Sequence, residues 1–416
     1  MDLMTERQWK IFDVVKRLES GLLTTAEAAQ VLGLCVRQVR RIRRAIEGAG
    51  KRGVVHGNVG REPVNRVSKK TRALIERLSR TKYAGFNDQH LTEKLVEVEG
   101  IGVSRASVQR VVRAAGLGST RTRRSAKHRR RRDRKAQAGL MMLWDGSIHD
   151  WLEGRGPKLC LMAAIDDATG ELLPGAHFVE QECAAGYLRV LRDIAKEKGL
   201  PCSGYMDRHS SLRRNDEHWT LEEELRGEQD PTQVGRALKA LEIEVIFALS
   251  PQAKGRVERL WGTLQDRLVS ELRLAKARTQ GQAQAILDAF RDDFNRRFTV
   301  EAKDATPAWR TVRKTVDLDR ICGFRYAATV LNDNTIRLAG HVFDIPPGPR
   351  GRSYARTVAE VRQLLDGTWR IYVQEQLVAT ADRSEVGELR AKKQRKRPAA
   401  SRAFRKALNA ISPSLP

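Results

Sequence analysis

Three acidic residues stand at positions where folding could bring their carboxylates together. Asp145 and Asp207 each close an apolar stretch that predicts a buried strand, and Glu258 lies in the first turns of a long predicted helix. Sites in open α/β sheets form at strand ends. Converging carboxylates repel one another unless a cation neutralises them, and Mg²⁺ accepts few carboxylates while retaining waters. Two such ions can activate a water or hydroxyl and stabilise a leaving oxygen, which suits phosphate chemistry.

Each acid taken alone also has an ordinary structural explanation. An Asp after a strand often forms a turn or caps a helix, and a Glu in the first turn of a helix is often there because it interacts favourably with the helix dipole. Asp166 and Asp167 rival Asp145 as the first acid, but they lie in a predicted turn between strands, so we interpret them as turn formers. His209, two residues after Asp207, could assist the acids or simply cap a turn.

The elements that must position these acids form an α/β pattern that begins at residue 139. Apolar runs predict strands at 140–144, 158–165, 172–179, 203–206 and 242–249. Helical periodicity predicts helices at 184–198, 232–241, 254–275 and 280–297. A polar, charged stretch at 213–231 interrupts the alternation. The three acids therefore belong to one predicted α/β core.

The net charge of +26 is concentrated at the two ends of the chain. Residues 1–135 hold 33 basic and 13 acidic residues, and residues 389–416 hold 9 basic and no acidic residues. The middle, 136–388, carries a net charge of −3. Basic patches attract polyanions by counterion release, so nucleic acid is the leading partner. A membrane partner is disfavoured, because no basic segment has the bulky apolar face of an interfacial helix and no stretch approaches the ~20 apolar residues of a span.

Within residues 1–50 the sequence predicts a helix–turn–helix. Thr24 and Glu27 fit a capping box, and Ala29, Gly33 and Val39 suit a close helix approach, a tight turn and a buried position on the second helix. The exposed face of that second helix predicts DNA contact, with a solvated charged face as the alternative. The arginines that we assign to this face are Arg37, Arg40, Arg41 and Arg44.

A second helical unit at 68–118 repeats this logic and is followed by a basic linker at 119–138. In its third helix the exposed Arg105, Arg110 and Arg113 predict DNA contact, with a solvated face as the alternative. Residues 121–135 carry ten Lys or Arg in fifteen, a run that self-repels and is expected to follow phosphates. The linker residues that we expect to contact DNA are Arg129, Arg130, Arg131 and Arg132.

Behind the core, six short β-rich runs predict a small β-barrel at 323–383, with Asp366-Gly367 as a hairpin turn. The tail at 389–416 is basic. The five cysteines lie far apart, which fits a reducing compartment and offers no structural zinc pattern. The N-terminus lacks an apolar signal core, so we expect a cytoplasmic protein.

Three segments of the sequence resemble the DDE transposases of bacterial insertion sequences, particularly the group called ISNCY, within the retroviral-integrase superfamily. The most specific is SPQAKGRVERLWGTLQDRL at 250–268, which is similar to the helix of the third acid. YAGFNDQHLTEKL and TPAWR also look like these proteins. The resemblance covers most of the chain and implies an RNase H-like core. The zinc unit of His and Cys that retroviral integrases carry is missing from this sequence.

By this resemblance, Asp145, Asp207 and Glu258 correspond to the first, second and third acids and would hold two Mg²⁺ (or Mn²⁺) ions. The intervals are 62 and 51 residues, and we attribute the long second interval to the insertion at 213–231. Residues beside the third acid lie near the DNA backbone in this family, with a solvated helix start as the alternative. They are Lys254, Arg256 and Arg259.

The sequence therefore predicts a multidomain transposase with N-terminal all-α helix–turn–helix units, an α/β RNase H-like integrase catalytic core at 139–300 and a small C-terminal β-barrel. We expect it to bind the terminal repeats of an insertion sequence, cleave DNA and join a 3′-hydroxyl to target DNA. Its partners would be double-stranded DNA and at least one further copy of the chain, near the bacterial nucleoid. The alternatives are a DNA-binding regulator with an inert core and a metal-dependent nuclease without joining activity.

Overall fold

The computed structural model describes residues 4–59, 62, 66–118, 132–207, 209–214, 221–247 and 255–389. The chain separates into two compact units, Met1–Leu74 and Ile75–Pro416. Several predictions lie outside the described residues: those on Arg129, Arg130, Arg131 and Lys254, on most of the linker, and on the tail after Leu389.

The first unit contains α1 (Glu6–Glu19), α2 (Thr25–Leu32), α3 (Val36–Ala49) and a short 3-10 helix, Gly50–Val54. The capping box predicted at the start of α2 is present, because the Thr24 hydroxyl accepts from the Glu27 amide while the Glu27 carboxylate accepts from the Thr24 amide. At the end of α2, Gly33 has a φ of 64°, a left-handed conformation that glycine adopts readily. Ala29 and Val39 are buried where α1, α2 and α3 meet. The helices predicted in 1–50 are therefore present.

The remaining helices before the core are α4 (Lys69–Arg80), which crosses the boundary between the units, α5 (Asp88–Glu97) and α6 (Arg105–Ala114). Each of α5 and α6 begins at a side-chain cap: Asn87 accepts from the His90 amide, and Ser104 accepts from the Ser107 amide. The buried side chains of α6 are Val108, Val111 and Val112, as its periodicity predicts.

The core is a five-stranded mixed sheet with helices on both faces. Its strands are β1 (Met141–His149), β2 (Leu159–Asp166), β3 (His177–Val179), β4 (Ser203–Met206) and β5 (Glu244–Phe247). They lie in the order β3-β2-β1-β4-β5, with β1, β2 and β3 antiparallel and β4 and β5 parallel to β1. The helices are α7 (Ala184–Glu197), α8 (Leu221–Arg226), α9 (Gln233–Ala240), α10 (Gly255–Leu274) and α11 (Gln280–Phe298).

Alternating side chains of β1 separate two hydrophobic layers. Met142 and Trp144 pack in a cluster with residues of α7 and α9. Met141 and Leu143 pack in a second cluster with residues of α10 and α11. Because side chains on a strand alternate between faces, each helix layer receives every second residue of β1.

The core differs from the sequence prediction in three places. β1 does not end at Asp145 but continues to His149, because antiparallel pairing with β2 extends to Leu159. β3 is shorter than predicted, since Leu172 makes only a single bridge to Ile165. The polar stretch at 213–231 contains the short helix α8, which has no apolar periodicity to reveal it.

The second helical group is fastened to the core by charged side chains. On α5, Glu93 lies 2.6 Å from Arg267 of α10 and 3.3 Å from Arg297 of α11. On α10, Glu271 lies 2.6 Å from His90 and 2.8 Å from Lys94. α5 therefore presents one charged side to the core, a packing that the sequence does not predict.

The C-terminal region begins with α12 (Leu318–Ile321) and contains β6 (Phe324–Thr329), β7 (Thr335–Leu338), β8 (His341–Asp344), β9 (Val358–Gln363), β10 (Trp369–Val373) and β11 (Gln376–Ala381). The prediction of a closed barrel is wrong for the described residues. A four-stranded sheet, β11-β10-β9-β6, remains open, and β7 pairs with β8 in a separate hairpin. Ile336 and Phe343 of that hairpin pack with Trp369, so the two layers stack instead of joining their edges. The predicted turn at Asp366-Gly367 connects β9 to β10.

In the described part of the chain, no helix has the length and apolar character required to cross a membrane.

Candidate active site

Asp145 and Asp207 lie on neighbouring strands at the same height. β1 and β4 run parallel, and Leu143 pairs with Tyr205. Two residues further along each chain, Asp145 therefore stands beside Asp207, which directly follows β4. Neighbouring strands are about 4.8 Å apart, and residues two apart share a face, so both aspartates share the face of Leu143 and Tyr205. That face packs with α10 and α11.

Trp261 of α10 binds the first of these aspartates. Its indole Nε1 donates a hydrogen bond to Asp145 Oδ2 at 3.1 Å. One turn later on α10, Gln265 Nε2 donates to Ser147 Oγ at 3.3 Å. The two bonds hold α10 along β1, alongside the apolar packing of Leu264 and Leu268.

Glu258 lies one helical turn before Trp261. Residues three apart on a helix are neighbours on its surface, about 5–6 Å between Cβ atoms. Val257 and Leu260 beside it are buried, whereas Glu258 is exposed. The third predicted acid thus lies on the helix whose tryptophan bonds the first acid, on the open side of that helix.

Asp207 belongs to a local turn. Its Oδ1 accepts a hydrogen bond from the backbone amide of His209 at 2.9 Å. The His209 ring Nδ1 in turn lies 3.3 Å from the amide of Ser211. His209 therefore takes part in the turn that follows β4, and assistance to the acids by its ring stays a prediction.

The carboxylates in this region are suitable ligands for magnesium, but the structure does not bring three of them together among the described residues. Carboxylate oxygens are the ligands that Mg²⁺ takes. Among the described residues, no three His, Cys, Asp or Glu side chains are close enough to hold a metal ion. Asp145 and Asp207 suit a Mg²⁺ ion by their positions and by their carboxylate oxygens. Glu258, in the first turn of α10, would have to supply the third carboxylate.

The rival acids, Asp166 and Asp167, are both fully buried. Asp166 accepts hydrogen bonds from backbone amides, and Asp167 pairs with arginines. Asp166 accepts from the amides of Gly139 and Thr169 at 2.8 and 2.9 Å, and burial raises the pKa of its carboxyl. Asp167 binds the guanidinium groups of Arg132 and Arg256. Asp166 is the last residue of β2 and Asp167 begins the turn after it, so a turn was predicted correctly for Asp167 alone.

The structure gives different surroundings to the arginines predicted to contact DNA. Arg132 and Arg256 both bind Asp167, and Arg113 binds Asp88 at 3.0 Å. The others are exposed on their helices: Arg37, Arg40, Arg41, Arg44, Arg105, Arg110 and Arg259. DNA contact by any of them stays a prediction.

Sequence reasoning missed two residues of this region. Trp261 stands three positions after Glu258, a spacing that would have made it a neighbour of the third acid on the surface of the helix. Glu182, in the segment between β3 and α7, carries no local signal, because only the folded chain brings it to Gly146 beside Asp145.

The sequence is similar to two proteins named as transposases. It is 38% identical over 297 residues to "Putative transposase y4bF" of Sinorhizobium fredii, and the match covers 71% of this chain but 63% of that protein. It is 32% identical over 330 residues to the transposase for insertion sequence IS1202 of Streptococcus pneumoniae, covering 71% of this chain and 69% of that protein. No protein-family model matches the sequence.

One solved structure of low similarity comes from the intasome of simian T-cell lymphotropic virus in complex with PP2A regulatory subunit B56 gamma. A chain of that structure is 13% identical to this chain, and the match covers 75% of this chain and 100% of the solved one. The TM-score is 0.31, so the likeness carries no argument here. The family assignment rests on the sequence relatives, of which the streptococcal protein is matched over more than two thirds of its length. On that basis, this chain belongs to the family of insertion-sequence transposases.

Proposed function

We propose that the chain is a DDE-type transposase that binds the terminal repeats of its element, cleaves the DNA ends and joins them to a target. The observation that carries this proposal is the position of Asp145 beside Asp207, under a helix that bears Glu258 and is bonded to Asp145 through Trp261. The mixed sheet with helices on both faces supports an RNase H-like core, because both aspartates come from its adjacent central strands.

In this proposal the carboxylates of Asp145, Asp207 and Glu258 would hold Mg²⁺ or Mn²⁺. Two bound ions would supply a nucleophile at neutral pH and stabilise the leaving oxygen. Trp261 orients the Asp145 carboxylate, and the His209 amide orients that of Asp207. The nucleophile is water in cleavage and the freed 3′-hydroxyl in joining. Glu258, in the first turn of α10, would supply the third carboxylate of the site.

End recognition belongs to α3 in this proposal. Arg37, Arg40, Arg41 and Arg44 lie opposite the buried Val39 and Ile46, so the helix can face DNA without uncovering its core. A recognition helix presents such side chains to the major groove. Arg259, exposed and next to Glu258 in the sequence, would contact a phosphate of DNA bound at the acids.

The test uses the full chain with labelled DNA that carries the ends of its own element. In Mg²⁺ we expect nicking at the end and joining of the 3′-hydroxyl to a target plasmid, and in Ca²⁺ binding without nicking. Binding without nicking in either metal would identify a regulator. Nicking without joined product would identify a nuclease. Both results contradict the proposal.

A further inference from the structure

Glu182 brings a fourth carboxylate to the segment of β1 that holds Asp145. It lies between β3 and α7, and its side chain is only 15% exposed. A Cβ atom added to Gly146 would lie 2.9 Å from the Glu182 carboxyl carbon. Glu182 therefore packs directly on the residue after Asp145, in space that exists because residue 146 has no side chain.

One hydrogen bond fixes this carboxylate, and a second, longer contact brings it near the turn of Asp207. Its Oε1 accepts a hydrogen bond from the hydroxyl of Tyr187 at 2.5 Å. The same oxygen lies 3.5 Å from Nδ1 of His209, the residue whose amide binds Asp207. Glu182 thus connects α7, the β1 segment of the first acid and the turn of the second acid.

An ordinary role as a helix cap does not account for this position. The N-cap of α7 is Cys183, which makes no side-chain capping bond, and Glu182 turns toward the Tyr187 hydroxyl instead. Among the residues that the structure describes, its basic neighbour is His209, which is charged only when protonated. Glu182 therefore adds negative charge near the two aspartates that would hold a cation.

Tyr187 lies near enough to Glu182, Asp145 and Asp207 for the charge of each to act on its hydroxyl. Burial raises the pKa of the Tyr187 hydroxyl above its usual range, and the negative charges of Glu182, Asp145 and Asp207 raise it further. The hydroxyl therefore stays protonated and continues to donate to Glu182. Successive residues of β1 face opposite sides of the sheet, so position 146 faces α7 while the side chain of Asp145 faces α10. Glu182 therefore approaches the two aspartates from the α7 side of the sheet.

We propose that Glu182 is a positioning residue of the acidic site, whose charge strengthens the binding of a divalent cation by Asp145 and Asp207. It acts through its charge and through its contacts to Gly146 and His209, and not as a ligand. This inference rests on the proposed function, since it needs the two aspartates to bind a cation.

The experiment measures Mn²⁺ binding to the purified full chain without DNA, by the electron paramagnetic resonance signal of free Mn²⁺. Glu182→Gln keeps the shape and can still accept from Tyr187, so the charge alone is removed. We expect its Mn²⁺ affinity to fall roughly three- to tenfold, because the interaction of unit charges over several ångströms is substantial at intermediate dielectric. Glu180→Gln, an exposed glutamate in the same segment, is the matched control and should bind as the wild type does.

A second readout separates a charge effect from a folding defect. In the cleavage assay, Glu182→Gln should need several times more Mg²⁺ for half-maximal rate but approach the wild-type rate at saturating Mg²⁺. Tyr187→Phe retains the charge and the buried ring but loses the bond that holds Glu182, so it should weaken Mn²⁺ binding by a smaller factor. If Glu182→Gln does not fold, unchanged Mn²⁺ binding in Tyr187→Phe overturns the inference.

Asp145→Asn distinguishes failure of this inference from failure of the proposed function. If Asp145→Asn loses Mn²⁺ binding while Glu182→Gln matches Glu180→Gln, the role of Glu182 is wrong and the acidic site stands. If Asp145→Asn binds Mn²⁺ like the wild type, the proposed metal site itself is wrong. Loss in both Asp145→Asn and Glu182→Gln, with Glu180→Gln unaffected, supports the inference.

Discussion

At the scale of single residues, the hydrogen bond from Trp261 to Asp145 gives one aspartate a fixed orientation before any ligand arrives. Trp261→Phe keeps the ring packed against Val257 and Leu264 but removes the donor. We expect end cleavage to slow by roughly five- to tenfold, since a misplaced catalytic group is costly to rate. DNA-end binding should be unchanged, and a gel shift on the same preparation measures it.

Trp151→Phe is the matched control for this change. Trp151 is also buried in the core and donates to a β1 atom, the carbonyl oxygen of Ser147, at 3.2 Å. Loss of this hydrogen bond should lower the free energy of unfolding by about 1 kcal/mol. The cleavage rate of the folded protein should be unchanged. Equal cleavage rates in the two variants would show that the Trp261 bond does not serve the site.

Asp167 provides a prediction of the opposite kind, on stability. Asp167→Asn leaves the guanidinium groups of Arg132 and Arg256 without their buried carboxylate. Breaking a buried ion pair costs about 3–5 kcal/mol, and because Arg132 is partly exposed we expect the lower end of that range. The urea unfolding midpoint measures this loss. An unchanged midpoint would mean that Asp167 does not hold the segment around Arg132 against the core.

At the scale of elements, the docking of α5 on α10 and α11 depends on Glu93. Glu93→Gln should lower the free energy of unfolding by about 3 kcal/mol, because Arg267 is nearly buried and would lose its partner. The control is Glu97→Gln, whose side chain is 45% exposed and pairs with Arg297, and it should cost less than about 1 kcal/mol. Urea titrations measure the free energy of unfolding of both variants, and equal losses would contradict the role of Glu93.

The same glutamate predicts a pH dependence. Burial raises the pKa of Glu93, but the hydrogen bonds from Arg267 and Gln89 and the charge of Arg297 outweigh it, so the pKa lies below its usual 4.5. Its stabilisation is therefore complete above pH 4.5 and is lost as the pH falls through the lowered value. Between these pH values the wild type should lose stability faster than Glu93→Gln, and parallel curves would contradict the docking role.

Elements with a local signal could be predicted from sequence, and those built by distant contacts could not. The strand before Asp207 and the helix of Glu258 follow from apolar runs and periodicity, and the structure has both. The extension of β1 depends on pairing with β2, and the contact between Glu93 and Arg267 joins residues 174 positions apart. The open C-terminal sheet was missed because strand lengths and turns do not determine whether the edges of a sheet close.

At the scale of the whole molecule, the uneven charge should make DNA binding strongly dependent on salt. We expect end affinity of the full chain to fall steeply between low and physiological salt, since each phosphate contact releases counterions. Arg41→Ala should weaken end binding by about 1–3 kcal/mol if Arg41 reads a base. Arg43→Ala is the control on the same helix, because Arg43 is paired with Glu47 at 2.8 Å. Equal loss in both would contradict base reading by the face that we assign to α3.

The separation of the N-terminal arginines from the acids in the sequence allows binding and chemistry to be uncoupled. Asp145→Asn, Asp207→Asn and Glu258→Gln each remove one charge and keep the side-chain shape. If the three act as one unit, each alone should lose nearly all cleavage, and combining them should add little. Asp292→Asn, which removes the same charge from an 84% exposed side chain of α11, should leave activity unchanged.

The most direct test of the central claim is nicking of a labelled element end in Mg²⁺ by wild type, Glu258→Gln and Asp292→Asn, with a gel shift on the same preparations. Glu258 decides the matter because it is the exposed member of the proposed triad and its removal disturbs no buried contact of the described core. The account predicts that Glu258→Gln binds the end as tightly as wild type and does not nick it, while Asp292→Asn does both. Normal nicking by Glu258→Gln would contradict the assignment of the third acid and the triad built on it.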